Sequence, residues 1–96
     1  MIMARRNDKK LSDLMNARTF VQLVIDQLDR YGKTKQQNSA LENCIKQLPA
    51  LSTQPALRRR YLDMINHVIK DKYSPNVVLT YFQREDSNLR AKIAEF

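Results

Sequence analysis

The stretch Ser12-Asp-Leu-Met-Asn-Ala-Arg-Thr-Phe-Val-Gln-Leu-Val-Ile-Asp-Gln-Leu-Asp-Arg-Tyr-Gly32 decides the fold class. Within it Leu14, Ala17, Val21, Val24, Leu28 and Tyr31 recur at alternating steps of three and four residues, which lays them along one stripe of an α-helix. Phe20, Leu23 and Ile25 widen that stripe into a core-facing side. Ser12 is placed to cap the start, and Gly32 follows the last apolar position, where a left-handed residue commonly closes a helix.

Downstream the same grammar repeats. Thr34-Lys-Gln-Gln37 reads as a capping box, in which each side chain satisfies a free N–H near the other, for a second helix bearing Leu41, Cys44, Ile45 and Leu48. Pro49 lacks an N–H and is expected to end that helix near Leu48, with Leu51 packing down as a plug in the link to Gln54. Thr53 is expected to cap a third helix with Pro55 in its first turn, facing inward through Leu57, Tyr61, Met64, Ile65 and Val68 and stopping around Asp71-Lys72. Ser74-Pro75 repeats the start signal. The fourth helix carries Val78, Phe82, Leu89, Ile93 and Phe96, but Glu85 sits in the middle of this stripe. Gln83 to Asn88 therefore reads either as a solvated mid-helix or as a break recapped by Ser87; we take the continuous helix. Short links between sequential helices favour antiparallel neighbours. The expected architecture is all-α: an antiparallel up-down four-helix bundle over residues 12–96, preceded by a basic, flexible arm over residues 1–11.

Composition agrees with this class. One glycine and three prolines in 96 residues are too few for a many-turned β protein, and 43% hydrophobic with 28% charged residues suits a globular chain. The single cysteine, Cys44, excludes an intramolecular disulfide and a multi-cysteine metal site, and suits a reducing compartment. No stretch resembles a signal peptide or a transmembrane helix, so a cytoplasmic location is expected.

Nothing in the chain assembles into a recognisable catalytic kit. His67 is the only histidine and lies about 100° from the centre of the third helix's apolar side, with Asp63 and Asp71 four residues to either side. It reads as a solvated flank residue before it reads as a base or a sensor. Cys44 shares its stripe with Leu41, Ile45 and Leu48, so it reads as a small core residue rather than a nucleophile. Asp26 and Asp29 precede Arg30 and Lys33 by four residues each, which favours ion pairs over an acid–base dyad. Gly32 has no glycine companions with which to cradle a phosphate. We expect no enzyme activity, no metal and no cofactor.

The net charge of +7 points to anionic partners without choosing among nucleic acid, membrane and acidic protein. Its dense parts are Arg5, Arg6, Lys9 and Lys10, which suit contact with phosphates or lipid headgroups, and Arg58-Arg59-Arg60. The three arginines fan over roughly 200° of helix, so they cannot all face one ligand, and Arg59 has Asp63 four residues on. A DNA-reading helix-turn-helix needs a tight turn that the link between the second and third helices does not provide. Nucleic acid thus remains a partner class on net charge alone, beside an adaptor or inhibitor of another protein.

The order of features resembles the immunity proteins for pediocin-like (class IIa) bacteriocins. The likeness covers roughly residues 14–96 and is best over Gln54-Pro-Ala-Leu-Arg-Arg-Arg-Tyr-Leu-Asp-Met-Ile-Asn-His-Val-Ile-Lys-Asp-Lys-Tyr-Ser74. Pro55, Leu57, Met64, Ile65, Ile69, Asp71 and Ser74 match the family's Pro-started third helix, apolar run, Lys/Asp turn and Ser-capped fourth helix. The resemblance implies a protein that protects a bacteriocin producer from its own toxin at the cytoplasmic face of the membrane. There it would engage the mannose phosphotransferase permease with bacteriocin bound, with peripheral contact to anionic lipid. The family's recognition lies in its C-terminal half. By position this implies a partner surface of Arg59, Arg60, His67, Lys70, Lys72, Tyr73, Arg84 and Arg90.

Overall fold

The structure, a computed structural model, describes the backbone of residues 2–96 and the side chains of residues 8–96. The described residues form four α-helices, α1 (Ile2–Tyr31), α2 (Gln37–Ile45), α3 (Pro55–Ile69) and α4 (Pro75–Ala94), with a short 3-10 helix (Leu48–Leu51) between α2 and α3. No strand occurs among them, and the fold is all-α as expected. At about 1.5 Å per residue, the 30 residues of α1 account for most of the molecule's 50 Å long axis. α1 packs most extensively on α4 and also on α2, while α3 packs on both α2 and α4.

Periodicity located the helices well, and the ends less so. α1 begins at Ile2, so Ser12 is an exposed residue inside it and caps nothing. The stretch before Ser12 contains no Gly or Pro and several strong helix formers, so nothing local stops the helix there. Asp8, Lys9 and Lys10 are exposed on this first part of α1, whereas the side chains of Arg5 and Arg6 lie outside the described residues. At the other end, the left-handed residue is Lys33 (φ 68°), not Gly32. Gly32 still donates to the Leu28 carbonyl at 2.9 Å, and a Cβ there would run into that oxygen and stand 3.6 Å from Pro75 Cβ. Glycine is needed here because of the Leu28 carbonyl, while the distance to Pro75 would be ordinary contact.

Two expected caps are used otherwise. The Thr34–Gln37 capping box does not form: Gln36 holds the N-cap of α2 with no side-chain cap bond, and both side chains act within the turn instead. Lys33 N donates to Gln37 Oε1 at 2.9 Å and Gln36 N to Thr34 Oγ1 at 3.2 Å, while α2 begins only at Gln37. Thr53 does not cap α3: Gln54 holds the N-cap position, and the Thr53 hydroxyl donates to Asp13 Oδ1 at 2.8 Å. Gln54 Nε2 donates to the Asp13 carbonyl at 2.9 Å, so both residues tie the link to α1. Ser74, by contrast, accepts from Val77 N as a true N-cap with Pro75 in the first turn. Pro49 lies inside the 3-10 helix, and α2 ends before it at Ile45.

The core is built from the expected stripes. Ala17, Phe20, Val21, Val24 and Leu28 of α1 meet Leu41 and Cys44 of α2, Tyr61, Ile65 and Val68 of α3, and Val78, Phe82 and Leu89 of α4. Leu48 and Leu51 close it from the 3-10 helix, Leu51 being the expected plug. Leu14, Leu57, Met64 and Ile69 border it, and Phe96 is exposed.

α4 is continuous through Glu85, and the reason lies on α3. Tyr61 is fully buried, stacked on Phe20 at 5.7 Å and tilted against Phe82 at 5.4 Å. Its hydroxyl needs an acceptor, and it donates to Glu85 Oε2 at 2.7 Å. The polar residue in the apolar stripe is therefore the partner of a buried phenol.

Candidate partner-binding surface

Six of the eight residues expected at the partner surface belong to α3 and the turn into α4. Lys70 caps the end of α3, and Asp71 turns the chain with φ 58°. Lys72 N and Tyr73 N then both donate to the His67 carbonyl, at 2.7 and 3.1 Å. This turn brings the Tyr73 ring edge-on to the half-buried His67 ring, with centroids 4.6 Å apart. Lys70, Lys72 and Tyr73 are exposed beside it, so His67, Lys70, Lys72 and Tyr73 form one cluster.

Arg59 and Arg60 are exposed nearer the start of α3. Arg60 shares His67's flank, seven residues or two turns away, and its Nη2 stands 3.9 Å from Glu85 Oε2. Arg59 does not ion-pair with Asp63 among the described residues; the i, i+4 pair that does form is Asp26–Arg30 at 3.0 Å. On α4, Arg84 and Arg90 are both exposed, but six residues place them about 120° apart around the helix. Asp86 pairs with Arg18 of α1, so Arg90, four residues on, follows α4's α1-facing flank. The eight residues consequently do not share one surface: Arg90 departs from the α3–α4 side.

Reading single residues missed the behaviour of the carboxylates. Glu85 and Asp86 have side chains only 19% exposed, the first engaged by Tyr61 and Arg60 and the second by Arg18 at 3.2 Å. Drawing these two acids inward leaves the hairpin's outer side more basic than its composition, although Asp63 and Asp71 remain exposed. The only signal in the sequence was the misfit of Glu85 in an apolar stripe.

The same centre governs the phenols. Burial first, then the Glu85 hydrogen bond and charge, push the Tyr61 hydroxyl far above its ordinary range. Burial and the Glu85 charge likewise raise Tyr81, with Arg60 opposing. The Tyr81 hydroxyl is buried and has no hydrogen-bond partner.

Cys44 sits at 0% exposure in the core. Burial, with a smaller contribution from the Asp26 charge, pushes its thiol up to about 11. Alkylation of the folded chain is accordingly expected to run roughly 100-fold or more below that of the denatured chain near neutral pH. Equal rates would contradict the burial. Below pH 9 both states hold the proton; between the ordinary thiol value of 9.0 and about 11 the unfolded chain releases it first. Stability should therefore fall as pH rises through that window. No group of three or more His, Cys, Asp or Glu among the described residues is placed to hold a metal ion. No helix among them is long and apolar enough to cross a membrane. No family model, curated protein or solved structure matches the chain.

Proposed function

We propose that the protein is a non-catalytic binder of the bacteriocin-immunity type, protecting its cell at the cytoplasmic face of a membrane receptor. The observation that carries this reading is the α3–α4 hairpin. Arg59, Lys70, Lys72 and Arg84 stand outward without ion pairs among the described residues, while Glu85 and Asp86 are turned in. Such a side suits an approach to an anionic inner leaflet, each cation being worth on the order of 1 kcal/mol near the surface. The partner in this reading is the mannose phosphotransferase permease with bacteriocin bound, and Tyr73, 44% exposed against His67, supplies an aromatic contact.

An antiparallel up-down order of the helices belongs to the same proposal. Supporting it, the end of α1 at Gly32 lies by Pro75 at the start of α4, and Arg18 reaches Asp86 further along. Asp13 holds Thr53 and Gln54 at the start of α3.

The surface is tested by combining Arg59→Glu, Lys70→Glu and Arg84→Glu in a bacteriocin-sensitive host. Arg60 is left alone, because a carboxylate there would face Glu85. Killing should return to the level of the host without the gene, while the circular dichroism spectrum and unfolding midpoint stay near wild type. Protection retained in full by this variant would sink the proposed surface.

A further inference from the structure

One end of the bundle is assembled from two links far apart in sequence. The link from α1 to α2 carries Lys33 and Lys35, and the link from α3 to α4 carries Lys70 and Lys72. The two links meet: a Cβ on Gly32 would stand 3.6 Å from Pro75 Cβ, and Asp29, Lys33, Pro75 and Asn76 line one crevice. All four lysines are exposed, and none has an ion pair among the described residues. The exposed acids facing them are Asp29 and Asp71, while Asp26, one turn back, is held by Arg30 at 3.0 Å. Cations therefore exceed acids at this end.

Apolar groups stand among these charges. Tyr73 is 44% exposed, and Val77, in the first turn of α4, is 54% exposed. Phe96 is exposed too, but it shares its crevice with Lys10, Asp13, Lys92 and Glu95, two of each sign. Around Phe96 the charges balance; around Tyr73 and Val77 they do not.

This combination selects the partner. The phosphates of a nucleic acid would engage the lysines and leave the Val77 side chain in water. An anionic bilayer takes both, its phosphates meeting the lysines while a tyrosine ring and an apolar side chain enter between the headgroups. We infer that this end of the bundle docks on an anionic lipid bilayer, with Tyr73 and Val77 in the interface and Lys33, Lys35, Lys70 and Lys72 on headgroup phosphates. The inference deepens the proposed function and rests on it only for the presence of a membrane. It assigns Lys70 and Lys72 to lipid and brings in Lys33 and Lys35, while Arg59 and Arg84, farther along α3 and α4, are left for the receptor.

Flotation of the full chain with vesicles of phosphatidylglycerol and phosphatidylcholine, without receptor or bacteriocin, tests it. Binding should require phosphatidylglycerol and fall as salt rises. Lys33→Asn, which keeps a residue tolerant of the left-handed backbone, combined with Lys35→Gln should weaken binding about 25-fold, roughly fivefold for each charge. Lys46→Gln with Arg58→Gln removes the same charge beside the α2–α3 link, at the end where Asp13 holds Thr53 and Gln54, and should weaken binding by less than about threefold. The chain has no tryptophan, so Val77→Trp and Met15→Trp each install a single reporter at an exposed position. Vesicles should shift the emission of the first to shorter wavelength and leave the second unchanged. Circular dichroism reports whether each variant is folded. A chain that ignores the vesicles at low salt, equal losses from the two charge pairs, an unshifted Val77→Trp emission in bound protein, or binding of duplex DNA in place of vesicles would each overturn the inference. Protection is scored in cells and this contact on pure lipid, so the failure of either is seen separately from the other.

Discussion

Tyr61→Ala is expected to lower unfolding stability by about 3–5 kcal/mol, the range for truncating a fully buried aromatic. The ring lies at 0% exposure between Phe20 and Phe82, so its removal opens a void at the contact of α1, α3 and α4. The milder Tyr61→Phe isolates the hydroxyl. It keeps the packing and leaves the Glu85 carboxylate, bonded at 2.7 Å in the native chain, without its donor. We expect a loss of about 1–3 kcal/mol for that change. In Tyr61→Phe combined with Glu85→Leu the second substitution should recover part of the loss, since an apolar pair of similar shape leaves neither group unsatisfied. Denaturant unfolding of the three variants measures this. A Tyr61→Phe protein as stable as wild type would contradict the assignment of Glu85 as the partner of a buried phenol.

Leu51→Ala carries the second large expected effect, a loss of about 2–5 kcal/mol. Leu51 is fully buried, yet it belongs to a four-residue 3-10 helix, which has little hydrogen bonding of its own to hold its place. What fixes this segment is the leucine inside and the Asp13 bonds to Thr53 and Gln54 outside. At the exposed Thr53, Thr53→Val should cost less, about 1 kcal/mol, by removing one of those bonds. The two losses should exceed simple addition or fall short of it, because the residues secure the same link. Equal, small losses from both would show that the 3-10 segment is dispensable to the core.

These expectations separate what could be read along the chain from what could not. The stripes of α1, α3 and α4 were legible because burial of one side imposes the helical period directly on residue type. Ser74 was legible as a cap because it has no competing partner. Thr53 carries the same chemistry, but it stands one residue before the N-cap Gln54 and is turned toward a carboxylate 40 residues away, which no local rule foresees. Ser12 failed in the opposite way: a capping residue starts a helix only where the preceding residues resist one, and here they favour helix. Glu85 looked like an interruption because a stripe read from α4 alone contains no information about Tyr61.

The surface shows a similar division. That Arg59 and Arg84 are exposed follows from helical period, and that Lys70 and Lys72 are exposed follows from their place in the turn after α3. That Arg90 follows another flank, and that Glu85 and Asp86 withdraw from the hairpin's outer side, depends on the packing of α4 against α3 and α1.

The central claim is that the molecule protects a cell by binding. Its most direct measurement is survival of a bacteriocin-sensitive host expressing this chain, challenged with a panel of pediocin-like bacteriocins, with folded protein verified in the cells. The account predicts survival against one or a few members of the panel and killing by the rest, with protection lost in the Arg59→Glu, Lys70→Glu, Arg84→Glu variant. Killing by every member, with the folded protein present, would contradict it.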